Sequence, residues 1–264
     1  MPSAPKPTSR ASAFVSHSAK LDTDYLVFAE TIGAASSSLA TTPLPVVVVV
    51  DGDYMFEPLV AAAKALHREN KIPPVLLAGI GYGKPFGSPL NKRGRDYTTS
   101  KGGEEPDSGG ARRFFTHLTG QLWSELDRRH PVDKNRRIIA GHSLGGLFAL
   151  HALFQPKPFF NAAIVGAPSL WWNNHRYPGQ LARFHKRHPA FAASLAAPAR
   201  LFLGIGENDT GSMTGDFARF EKQLAGTPFA NLAVHAKRFP RHDHYDLPPV
   251  LFRAGLAALL GCPL

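Results

Sequence analysis

Residues 136–154, RRIIAGHSLGGLFALHALF, constrain the fold more than any other stretch. Arg136 to Ala140 is short, β-branched and apolar in the middle, which predicts a buried strand. Leu144 to Phe154 is apolar nearly all round and built of good helix formers, which predicts a buried helix. Between them stands Gly141-His142-Ser143-Leu144-Gly145, a G-x-S-x-G, extended by Gly146. A strand that turns abruptly into a helix forces its turn residue into a strained backbone conformation. Small neighbours are needed where strand and helix close on each other. Such a turn lifts the Ser143 side chain clear of the sheet and sets it at a helix N-terminus, where backbone N–H groups favour a developing anion.

The rest of the chain supplies a matching context. Residues 1–12 are rich in Pro, Ser and Ala and read as a disordered tail; residues 13–264 read as one catalytic domain. Ala13–His17 and Asp24–Glu30 predict two early strands. Val46–Val50 is five valines in a row, a strand apolar on both faces and therefore central in a sheet covered on both sides. A helix follows over Phe56–Asn70, then a strand at Pro74–Gly79. Residues 80–110 show no periodicity, and a loop of this length is expected to be functional or mobile. Ala111–Arg129 predicts a long helix. Strands follow at Asn161–Gly166, Arg200–Ile205 and Asn231–Phe239, with helices around Gln180–His188, Asp216–Leu224 and Pro249–Leu260. The alternation predicts an α/β fold: a mostly parallel central sheet of about eight strands with helices on both faces. Ligands of such sheets bind beyond the carboxyl ends of the strands. Asp51–Asp53, Gly81–Gly83, Ser143, Glu207–Asp209 and His242–His244 all follow strands.

Composition narrows the class of partner. No apolar run approaches the ~20 residues that span a membrane. The N-terminus lacks the apolar core of a secretory signal, and with Met1 as the natural start the chain is expected to be cytoplasmic. The single cysteine, Cys262, excludes an internal disulfide. Net charge is +10, but the basic residues are scattered among acids rather than gathered on one segment, which argues against a nucleic-acid surface. The expected partner is a small molecule, with no nucleic acid, membrane, cofactor or metal.

A serine hydroxyl needs a base, and a base needs an orienting carboxylate. In this architecture the chain order is serine, acid, histidine. Ser143, then Glu207 or Asp209, then His242 or His244 satisfy that order, and spacing alone does not choose within either pair. His142 is expected to pack against the sheet, and His242 to lie exposed in its loop. An oxyanion hole would take one donor from the Leu144 N–H and a second from Gly52 or Asp53, after the valine strand.

With these residues in view, the chain resembles the putative-esterase branch of the α/β hydrolases, most closely the ferric-siderophore (enterochelin-type) esterases. The stretches that carry the resemblance are VVVVVDGDYMFEPLV, VLLAGIGYG, RGRDYTT, GHSLGGLFALHALF, APSLWW, LFLGIGE and HYDLPPVLFRAGLAALL. They run in the family's order from about Ala13 to the C-terminus. The resemblance implies an α/β-hydrolase fold and a serine carboxylic-ester hydrolase with an acyl-serine intermediate. It favours His244, because the family's histidine is followed five residues later by a proline, here Pro249. It also points to Arg95 and Trp172 as substrate-pocket residues. Some siderophore esterases work with a Ser–His pair alone, so the acid is the member that the resemblance supports least. Acyl transfer to another alcohol, hydrolysis of an S-acyl-glutathione thioester and a non-catalytic binding relative are the alternatives on the same fold.

Overall fold

A computed structural model describes residues 12–33, 43–102, 105–226 and 229–261. Most of the proline-rich tail and the 33–45 loop, and Cys262 with them, lie outside those residues. Eight strands form one sheet: β1 (Ser12–Ser18), β2 (Thr23–Ile32), β3 (Leu44–Val50), β4 (Val75–Gly81), β5 (Val132–His142), β6 (Ala162–Gly166), β7 (Ala199–Gly206) and β8 (Leu232–Phe239). Their order across the sheet is β1-β2-β4-β3-β5-β6-β7-β8. β1 and β2 form a hairpin, and β2 is antiparallel to β4. The remaining six strands run parallel.

Parallel neighbours need long crossovers, and helices supply them. They are α1 (Gly52–Arg68), α2 (Arg93–Asp96), α3 (Ala111–His117), α4 (Trp123–Arg129), α5 (Leu144–Leu153), α6 (Trp172–Arg187), α7 (Gly211–Gly226) and α8 (Leu247–Leu260). α1 and α8 pack on each other, α1 against β2, β3 and β4 and α8 against β6 and β7; α5 packs against β5 and β6, and α3 against α5. Every residue of β3, β4 and β6 is buried, as strands apolar on both faces must be. The edge strands β1 and β8 keep exposed positions. α5 is buried at every position from Gly145 to Leu153 except His151.

Departures from the sequence expectation have local causes. α1 starts at Gly52 rather than Phe56, because left-handed Asp51 (φ 55°, ψ 40°) turns the chain and its carbonyl accepts the Tyr54 and Met55 N–H groups. The expected helix over Ala111–Arg129 is continuous but carries a π turn at Leu118–Leu122. The helix expected around Gln180–His188 begins earlier, at Trp172, and Asn173, Asn174 and His175 are left-handed near its start. The 80–110 segment is mixed: Asp96, Tyr97 and Thr98 are fully buried and α2 lies within it, whereas residues 83–85 and Leu90 are exposed.

Candidate active site

β5 delivers the chain to Ser143 and α5 carries it away. Ser143 has φ 59° and ψ −122°, a conformation that costs a residue with a Cβ roughly 1–3 kcal/mol. Several hydrogen bonds hold it there. The Ser143 N–H donates to Gly166 O at 3.0 Å, and the Ser143 carbonyl accepts the Leu147 N–H at 3.0 Å and the Ser169 N–H at 3.1 Å. Gly141 is obligatory, because a Cβ there would sit 2.1 Å from the Gly145 carbonyl oxygen. The Ser143 hydroxyl lies 3.3 Å from the hydroxyl of buried Ser169. Sequence reasoning missed Ser169; its one signal was its position just after β6.

The loops after β7 and β8 are stitched together. The Asn208 N–H donates to His242 O at 2.9 Å, and the Glu207 N–H to Phe239 O at 3.0 Å. This brings His244 Nδ1 to 2.9 Å from Asp209 Oδ2. Asp209 Oδ1 accepts the Thr210 N–H at 2.7 Å. The Asp209 side chain is 1% exposed and that of His244 24%. A carboxylate only accepts, so in the neutral ring the proton sits on Nδ1 and the lone pair on Nε2. Glu207 is exposed one residue past the strand and is not brought to the histidine. His242 is half-buried rather than free in its loop, with Nδ1 3.2 Å from Asp246.

His142 packs as expected, with its ring centroid 4.5 Å from that of His244. Burial, with His244 and Arg93 nearby, pushes its pKa down to about 3, so the ring is neutral. Its buried Nε2 has no hydrogen-bond partner. One wall of the His244 imidazole is therefore another, uncharged imidazole.

The three N–H groups expected around an oxyanion lie in first turns. Leu144 opens α5, and Gly52 and Asp53 open α1, where backbone donors have no intrahelical acceptor. Gly52 is dictated by packing: a Cβ there would lie 2.6 Å from Ile80 N. The buried Asp53 carboxylate accepts the Tyr82 N–H at 2.7 Å and the Gly83 N–H at 2.9 Å. Burial raises its pKa against the opposing pull of those two donors.

The two residues assigned to the pocket, Arg95 and Trp172, both make contacts within the protein. Arg95 is committed within the protein: Nε and Nη2 pair with Asp96 at 2.7 and 3.0 Å, and Nη1 donates to Leu21 O at 2.9 Å. Nη2 also donates to Thr23 Oγ1 at 2.9 Å. These bonds pin the β1–β2 hairpin, while Arg95 also lines the cleft that reaches Leu144. Trp172 is a packed aromatic whose indole N–H donates to Ser100 O at 3.0 Å. Its neighbour Trp171 is the exposed ring, at 45%. Arg93, two residues earlier, lines the same cleft and pairs with Asp51. A cleft of about 390 Å³ runs from Phe86 past Arg93 and Glu105 to Leu144. Among the described residues no group of three or more His, Cys, Asp or Glu side chains is arranged to hold a metal ion, and no helix is long and apolar enough to cross a membrane.

The profile of the family described as "Putative esterase" matches residues 36–246. The ferri-bacillibactin esterase BesA of Bacillus subtilis is 36% identical over 144 residues, 49% of this chain and 49% of that protein. The siderophore enterobactin esterase of Emericella nidulans is 30% identical over 176 residues, 57% of each chain. The matched stretch thus spans about half the length of these curated relatives. Among solved structures, the BES protein from Bacillus cereus superposes with a TM-score of 0.83 over 98% of this chain and 97% of that one, at 23% identity. The siderophore hydrolase EstB from Aspergillus nidulans gives 0.81 over 98% and 96%, at 21% identity. At these identities the likeness establishes the fold.

Proposed function

The chain belongs to the putative esterase family, and from that premise we propose that it is a serine carboxylic-ester hydrolase with Ser143 as nucleophile, His244 as base and Asp209 as the orienting acid. The observation that carries this reading is the 2.9 Å hydrogen bond between His244 Nδ1 and buried Asp209, with the His244 ring centroid 4.5 Å from that of His142, the neighbour of Ser143, and Ser143 itself held at positive φ. His244 Nε2 takes the Ser143 proton as Oγ attacks the ester carbonyl carbon. The oxyanion is met by the Leu144 N–H and by an N–H from Gly52 or Asp53. The imidazolium then protonates the leaving alcohol as the C–O bond breaks, leaving acyl-Ser143. Water, deprotonated by His244, releases the acid and regenerates the serine. Neutral His142 supports the base, because a charged neighbour in that position would oppose the imidazolium.

The curated relatives are named as siderophore esterases, which supports a reading of the substrate class. We propose that this chain likewise cleaves siderophore-like or other aryl and anionic esters, a preference that its net charge of +10 favours. The test is Ser143→Ala assayed on an activated aryl ester and on a catecholate trilactone, with phosphonate labelling of the native protein. The expected result is a pre-steady-state burst, one label per chain on Ser143, and loss of essentially all turnover in the variant. Substantial turnover by Ser143→Ala sinks the proposal.

A further inference from the structure

Residues 80–110, the long segment expected to be functional or mobile, meet the candidate oxyanion loop at three points. The Asp51 N–H donates to the hydroxyl of Tyr97 at 3.0 Å. The Asp51 carboxylate receives Arg93 in a two-point pair, Nε to Oδ1 at 2.9 Å and Nη2 to Oδ2 at 3.0 Å. The Asp53 carboxylate holds the Tyr82 and Gly83 N–H groups. Arg93 is itself held from above, its guanidinium 4.5 Å from the centre of the Phe86 ring. In the same segment, Asp96 accepts the hydroxyls of Tyr25 at 2.7 Å and Tyr82 at 3.0 Å, and Tyr97 is fully buried.

The position of Asp51 makes this pairing consequential. Its carboxylate is 2% exposed, and a Cβ on Gly145 would come within 3.1 Å of Oδ2. An anionic group therefore lies against the first turn of α5, whose Leu144 N–H would meet the oxyanion. A carboxylate left unpaired there would oppose the negative charge that forms in the transition state. Asp51 is also left-handed at φ 55°, a conformation disfavoured for a residue with a Cβ, and it is the residue that directs the Gly52 and Asp53 N–H groups. Something must both neutralise the side chain and hold the turn. Arg93 does the first through its charge and the second through its fixed, planar fork, with Tyr97 holding the backbone.

We propose that Arg93 is a positioning residue for ester hydrolysis, pairing with Asp51 to neutralise the carboxylate beside the start of α5 and to hold the turn that presents the oxyanion donors. This rests on the serine-hydrolase reading above. Residues 82–97 are then a brace for the oxyanion loop, and Arg93 acts on the reaction through Asp51 rather than by binding substrate.

The experiment compares Arg93→Met, Arg93→Lys, Tyr97→Phe and Ser143→Ala on a neutral short-chain aryl ester, with active-site titration of each preparation. Arg93→Met is expected to lower kcat roughly 100-fold, the scale of removing one oxyanion donor, with KM within about threefold and full titration of Ser143. Arg93→Lys keeps the charge but not the fork and should recover about a third to a tenth of wild-type kcat. Should Arg93→Met fail to fold, Tyr97→Phe, which removes only the oxygen holding the Asp51 N–H, carries the test through a fall in kcat at constant KM. A raised KM with kcat unchanged in Arg93→Met would make Arg93 a substrate ligand and overturn the proposal. Wild-type kcat in Arg93→Met, or in Tyr97→Phe if that variant carries the test, would also overturn it while leaving the serine mechanism standing. Turnover by Ser143→Ala would remove the mechanism, and the brace with it.

Discussion

Asp209→Asn isolates the contribution of the acid without changing the shape of the site. Asp209 has two oxygens and two fixed partners: Oδ1 accepts the Thr210 N–H at 2.7 Å, and Oδ2 faces His244 Nδ1 at 2.9 Å. An asparagine in that place has one oxygen and one NH2 group. The Thr210 N–H can only donate, so it claims the oxygen and turns the NH2 group toward His244. Nδ1 must then accept, and the ring proton moves to Nε2, the atom that must take the proton of Ser143. The buried setting, with the Asp209 side chain 1% exposed, leaves little room for the amide to flip back or for water to substitute. In a serine triad this tautomer error costs about 10⁴-fold in kcat, equivalent to about 5.4 kcal/mol at 1.36 kcal/mol per decade. The assay is kcat and KM on an aryl ester near neutral pH, with thermal unfolding to confirm the fold. KM should change little, because the lost interaction serves the transition state. Glu207→Gln serves as the control and should retain wild-type kcat, since Glu207 is exposed. If Asp209→Asn keeps more than about a tenth of wild-type kcat, the orienting role is refuted and Ser143 with His244 works as a pair.

The neutral His142 makes a prediction about pH and stability. Its pKa is about 3 in the folded protein against 6.5 for a free histidine. Below pH 6.5 the unfolded chain therefore binds a proton that the folded one refuses, and this contribution to stability falls as pH drops from 6.5 towards about 3. The slope approaches about 1.4 kcal/mol per pH unit, and His142→Asn should flatten the pH dependence of Tm over that range. Arg95 should prove structural: Arg95→Met leaves Asp96 buried without its cation and is expected to cost about 3 kcal/mol in chemical denaturation, with KM of the folded enzyme unchanged.

What could be read from the sequence was what local pattern controls. The five valines of β3 could only lie in a sheet covered on both faces, and all five are buried. The glycines around Ser143 required a close strand–helix approach, and Gly141 has no room for a Cβ. The strand–helix alternation determined a mostly parallel sheet, because parallel neighbours need crossovers. The candidate residues also fell into the order serine, acid, histidine along the chain. The less legible features were those settled by chain segments far apart in sequence. Asp209 and Glu207 are two residues apart with the same chemistry, and only the stitching of the β7 and β8 loops puts one of them against His244. Arg93 and Arg95 are likewise two residues apart on a single turn of helix. One reaches Asp51, 42 residues away, and the other Thr23, 72 residues away. Backbone conformation and burial are written in runs of neighbouring residues, so the elements and the elbow at Ser143 were determined by the sequence alone. Which charged group meets which is set by loops that close only when the sheet assembles, so the pairing of His244 with Asp209 and of Arg93 with Asp51 was decided by the tertiary structure.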